Sequence, residues 1–110
     1  MASWVRLGAI SAVLAIGALA SAAFAQSPPL DGNPARGKVL SQTCLGCHGI
    51  AGYRNAYPNY EVPKLWGQSP EYIVAALQEY RAGQRAHTTM HAQASTLSDQ
   101  DVADIASYFG

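Results

Sequence analysis

Cys44-Leu45-Gly46-Cys47-His48 constrains this chain more than any other stretch. Two thiols with two residues between them can add to the two vinyl groups on one edge of a haem. The residue that follows is then placed to bind the iron through an imidazole nitrogen. C-x-x-C-H is the pattern of covalent c-type haem attachment. The chain holds two cysteines and both lie here, so no third thiol competes for either.

The first 25 residues read as a secretory signal peptide, cleaved before Gln26. Arg6 is the only charge before Asp31, an apolar run follows from Leu7 to Ala20, and Ala23-Phe24-Ala25 gives the small-residue cut. The alternative is a retained membrane anchor, but the run is short against the roughly 20 residues a bilayer-spanning helix needs. Export delivers the chain to the periplasm, an oxidising compartment where a C-x-x-C pair forms a disulfide unless something else claims it. Haem attachment does so.

Residues 26–110 make one domain of 85 residues. So small a domain buries a modest core and often needs a staple, which a covalent haem provides. Without Arg6, six Lys/Arg stand against seven Asp/Glu. The near-neutral balance and the lack of a basic patch give no sign of nucleic-acid binding, and no membrane insertion is expected once the signal is removed.

Residues 26–32 form a Pro/Gly/Ser-rich, flexible lead. Asn33-Pro34 opens a helix with a cap and a first-position proline, expected to run to about Thr43. Gly37, Leu40 and Cys44 share one face, and Gly37 implies a second helix in close contact. Residues 49–69, rich in Gly and Pro with Tyr53, Tyr57 and Tyr60 among them, read as a loop. An ordered loop of this length needs something to wrap around. Ser69-Pro70-Glu71 opens a second helix with an Ile73, Ala76, Leu77, Tyr80 stripe, stopping at Gly83. Gln84–Thr96 reads as a polar segment, with Met90 in a loop. Ser98 and Asp101 form a capping-box variant, and Leu97 with Val102 a hydrophobic staple, at the start of the last helix. Val102, Ile105, Ala106 and Phe109 are its buried stripe. The expected fold is all-α, with three main helices and long loops.

Two other settings for the motif compete. Zinc needs four N/S ligands, and His87 with His91 would be the second pair. A thioredoxin-like redox motif needs a βαβ setting, and none is visible. For the iron's sixth position the chain beyond the signal offers one methionine, Met90, in Thr88-Thr89-Met90-His91. A sulfur or imidazole there favours electron transfer, whereas an open position favours small-molecule binding. His87 and His91 remain candidates for a bis-histidine site.

Taken together, the residues resemble a class I, mono-haem bacterial cytochrome c, similar to small periplasmic carriers and to one half of the dihaem cytochromes c. The resemblance spans the whole chain after the signal. It rests on Gly37-Lys38, Cys44 to Gly49, Pro63-Lys64-Leu65-Trp66-Gly67-Gln68, Tyr72, Leu77, Tyr80, Gly83-Gln84-Arg85, Met90, and Leu97 through Phe109. It implies first and last helices that cross, Gly37 and Leu40 meeting Ile105 and Tyr108, and long haem-wrapping loops. It implies one covalent haem c on Cys44 and Cys47, with His48 and Met90 as axial ligands. The Pro63 carbonyl would accept from His48 Nδ1–H, Leu65 would pack on the haem, and Trp66 would lie near it. Arg54 and Arg85 are candidates to pair with haem propionates.

The expected function is that of an electron carrier serving redox partner proteins, with no enzyme activity of its own. A haem subunit bound to one dehydrogenase or oxidase is the alternative, and a small-ligand-binding haem protein the more distant one.

Overall fold

A computed structural model describes residues 31–57 and 59–110; the segment read as a signal peptide and most of the expected lead lie outside these. Five helices follow in order: α1 (Pro34–Leu40), α2 (Gln42–His48), α3 (Pro70–Arg81), α4 (Thr88–Ala94) and α5 (Asp99–Phe109). The described residues form an all-α fold, as the sequence predicts.

Three helix starts stand where cap residues put them. The Asn33 side chain accepts from the Ala35 and Arg36 N–H groups, with Pro34 at the first helical position. Ser69 accepts from Tyr72 N–H at 3.1 Å, again ahead of a first-position proline. Ser98 and Asp101 exchange side-chain and backbone bonds in a full capping box. Each satisfies N–H groups that a helix start leaves without partners.

Two expectations are corrected. The first helix does not end near Thr43. It breaks only at Ser41, and α2 carries the helical path through both cysteines to His48. The ladder is almost unbroken: Ser41 N–H bonds Gly37 O at 2.9 Å, Leu45 N–H bonds Ser41 O at 3.1 Å, and Gly49 N–H bonds Leu45 O at 3.0 Å. Packing of Cys44 and Leu45 on the core cluster overrides the weak local preference of Ser, Thr, Cys and Gly. The polar 84–96 segment is not all loop either, since it contains α4, with Met90 inside it.

The core is small. Ile73, Ile105, Ala106 and Phe109 form its buried cluster, and Leu40, Cys44, Leu45, Leu65, Leu77 and Leu97 pack on it while staying partly exposed. The first and last helices pack together, and α3 packs on both α4 and α5. Gly37 is where α1 meets α5: a Cβ there would overlap the Asp104 carbonyl and sit 2.9 Å from Tyr108 Cβ. The contact falls on Asp104 and Tyr108; Leu40, not Gly37, reaches the cluster containing Ile105. Arg81 donates to Leu97 O at 2.8 Å and to the Asp99 carboxylate, tying α3 to the start of α5.

The 49–69 segment is loop with one antiparallel bridge, Arg54 to Glu61. Asn55 N–H to Tyr60 O and Val62 N–H to Tyr53 O, both 2.8 Å, close it, and Gly67 N–H to Phe109 O at 3.0 Å pins its far end to α5. Among the described residues no helix is long and apolar enough to cross a membrane.

Candidate haem site

All five helices, α1 through Leu40, and the 49–69 loop line a cavity of about 380 Å³, within the range of about 300–1,000 Å³ common for cofactor sites. Its lining includes Cys44, Cys47 and His48 from α2, Pro63 and Leu65 from the loop, and Met90 from α4. Ile73, Ala76, Leu77 and Tyr80 line it from α3 and Ile105 from α5. The α3 stripe that reads as core packing in the sequence is therefore also a cavity wall. Periodicity alone cannot distinguish a face that meets another helix from one that meets a cofactor.

His48 Nδ1 lies 2.7 Å from the Pro63 carbonyl oxygen. A carbonyl only accepts, so Nδ1 carries the proton and donates it, leaving Nε2 as the basic nitrogen. A ligating histidine usually has its other ring nitrogen held in this way. Neither cysteine is in a disulfide, and both are half-buried. Burial pushes the Cys44 thiol above its ordinary pKa.

The three candidates for a second axial ligand separate by position. His91 does not line the cavity, and its Nδ1–H donates to Tyr80 O at 2.7 Å. His87 lines it, but its ring is occupied: Nδ1 accepts from Met90 N–H at 3.3 Å and Nε2 faces the Asn55 amide at 3.4 Å. Met90 lines the cavity, and a thioether has no competing role there. Among the described residues no group of three or more His, Cys, Asp or Glu gathers to hold a metal ion, so His87 and His91 do not join the cysteine pair in a zinc-like cluster.

The two arginine candidates separate as well. Arg54 is outside the lining; it bonds Asn59 Oδ1 at 3.0 Å and pairs with Glu61 at 3.5 Å. Arg85 is part of the lining. It donates to Tyr72 OH at 3.2 Å, and its Cζ stands 5.0 Å from the Tyr80 ring centre, a cation–π distance. The Tyr72 hydroxyl helps keep Arg85 charged. Trp66, expected near the haem, sits against α5. It is absent from the lining and packs edge-on against Tyr108 and Phe109, with ring centres 4.8 and 4.9 Å away. The indole covers the end of α5 and does not reach the cavity.

These residues fit a haem on the chemistry of the donor set. Two thiols stand on one helix beside a histidine whose free nitrogen is Nε2. A methionine from another helix shares the cavity, and its wall area is mainly apolar.

Comparison with known proteins gives the same reading. The chain is 39% identical over 75 residues to the cytochrome subunit of sulfide dehydrogenase from Chlorobaculum tepidum, covering 68% of this chain and 64% of that protein. It is 40% identical over 78 residues to cytochrome c4 of Pseudomonas aeruginosa, covering 71% of this chain but only 37% of that protein. With cytochrome c-554(548) of Halomonas halodenitrificans the identity is 42% over 81 residues, covering 71% of this chain and 94% of the relative. The sequence model of the cytochrome c family matches residues 34–109. That match runs from the first residue of α1 to the last of α5, so the cavity's helices all lie inside it, and the chain belongs to the cytochrome c family.

Proposed function

We propose that this protein is a periplasmic electron carrier holding one haem c. The observation that supports it most is that His48 and Met90, 42 positions apart, line one cavity, while His91 is turned to the Tyr80 carbonyl. Bound there, a haem supplies one-electron chemistry, its iron cycling between Fe(III) and Fe(II).

Each residue has a part in this reading. Cys44 and Cys47 anchor the haem edge through thioethers. His48 binds the iron through Nε2, and the Pro63 carbonyl fixes the ring and makes it a better donor. Met90 closes the other face, and its thioether raises the potential relative to a second histidine. Leu65, Ile73, Leu77 and Ile105 exclude water. Arg85, which has no carboxylate partner among the described ion pairs, is placed to pair with a propionate. With His48 and Met90 both holding the iron, no open position would be left for a substrate, so no reaction beyond electron transfer is expected.

Haem attachment requires export, which the leader at 1–25 would provide, and cleavage there would leave residues 33–110 as the haem domain after a short lead. The partners are redox proteins. A second reading, a haem subunit held by one dehydrogenase, is favoured by the relative named as the cytochrome subunit of sulfide dehydrogenase. Co-purification from the native host separates the two: a stable stoichiometric complex favours the subunit, and free cytochrome the carrier.

Carbon monoxide tests the closed site. The reduced protein at neutral pH is expected to leave its spectrum unchanged under CO. Ready formation of a CO adduct would replace the carrier by a ligand-binding haem protein.

A further inference from the structure

We infer that His87 is a positioning residue for the sixth ligand, clamping the helical turn that carries Met90 to the 53–60 loop. The inference rests on Met90 being that ligand.

The helix α4 is seven residues long, too short to be stable on its own. Its first turn therefore needs outside support, and Met90 is the third residue of that turn. Ser, Thr, Asp and Asn are the usual N-cap residues, yet here the cap is His87, in extended backbone conformation, accepting the Met90 N–H on Nδ1. The bonded N–H belongs to the ligand residue itself.

A serine would cap the helix as well but reach no further. The histidine ring does reach. Because Nδ1 accepts, the neutral ring carries its proton on Nε2, which lies 3.4 Å from the Asn55 amide nitrogen. A half-turn of the amide puts its oxygen there to accept. Asn55 is itself fixed by its backbone bond to Tyr60 O. The ring also sits 6.2 Å from both Tyr60 and Tyr80, edge-on to the latter.

His87 thus joins three segments: the bridged loop through Asn55 and Tyr60, α3 through Tyr80, and α4 through Met90. It also stands in a partition. A second, more open cleft of about 670 Å³ lies beside the cavity, and Asn55, Tyr60, Arg85, His87 and Thr89 line both. If the clamp loosens, α4 frays from the residue that holds the sulfur, and the wall next to the iron opens.

Imidazole titration of the ferric holoprotein tests this, because imidazole binds only when Met90 has left, so its apparent affinity reports the fraction open. H87A is expected to tighten apparent imidazole binding about fivefold, the factor that losing one N-cap bond carries. H87N keeps the cap through its amide oxygen but does not reach Asn55, so it should shift about as far as N55A and less than H87A. N55A should shift in the direction of H87A. H87A or H87N at the wild-type value would overturn the clamp, and H87N shifted as far as H87A would overturn the cap. An unshifted N55A would overturn the role given to the loop. If H87A yields no holoprotein, N55A, which keeps the cap, decides alone. A wild type without a sulfur-to-iron band would instead remove the Met90 reading beneath it.

Discussion

Asp104, with 1% of its surface exposed, accepts from Asn33 N–H and Gln100 Nε2, each at 2.8 Å, and from Arg36. A buried carboxylate is tolerable only when supplied with donors, and these come from the start of α1 as well as from α5. The Asn33 N–H foremost, then Arg36 and Gln100, hold its pKa below the usual carboxylate value. Asp101 is pulled down to about 2, first by the Ser98 backbone N–H and hydroxyl, then by Arg36. A folded-state pKa below the unfolded value of about 3.9 gives stability that is present above that value and lost as the pH falls toward the folded one. The denaturant midpoint of the holoprotein should therefore fall as the pH drops from about 4 toward about 2. In D104N that slope should be shallower; an unchanged slope would remove Asp104 from the account. None of this was legible in the sequence, where Asp104 is one acid in a helix. The motif residues were, because covalent attachment fixes their spacing. His87 was not recognised as a clamp, because a ring bridging two hydrogen-bond partners leaves no periodic trace. Trp66 was placed near the haem by the resemblance alone, and its ring turns to α5.

Helix starts were readable and helix ends less so. Asn33-Pro34, Ser69-Pro70 and Ser98 with Asp101 are cap chemistry, which is local, and the structure places helices at all three. The path through Cys44 to His48 and the short α4 depend on tertiary support, which local propensity does not contain. The end of α3 is local again: Gly83, at φ 74°, takes the left-handed conformation that ends helices. Gly37 was expected to mark a close helix contact, and α5 comes close there. Gly37→Ala gains about 1 kcal/mol of helix propensity. It also drives a methyl into the Asp104 backbone carbonyl, which cannot rotate away as a side chain would. Overpacking typically costs about 1–3 kcal/mol, and a backbone obstacle belongs at the upper end. A net loss of about 2 kcal/mol or more is expected in denaturant unfolding of the holoprotein. A neutral or stabilised variant would mean that α1 and α5 are not packed as described.

At the scale of the whole molecule, the protein's own core is thin, and Leu40, Leu65, Leu77 and Leu97, all partly exposed, line one cavity. The haem, in this account, completes the core. The chain lacking it, as in C44A/C47A, should show no cooperative thermal transition by circular dichroism near that of the holoprotein; a similar transition would show that the helices hold together unaided. The general architecture was legible because signal, motif and lone methionine pointed to the same cofactor. The cavity itself was not, since it arises only when α3, α4 and the loop are brought together. The central claim is that the cavity is closed by His48 on one side and Met90 on the other. The absorption spectrum of the ferric protein beside that of Met90→Ala tests it most directly. A weak long-wavelength sulfur-to-iron band should be present in the wild type and absent from the variant. A band that survives the substitution, or is missing from the wild type, would contradict the claim.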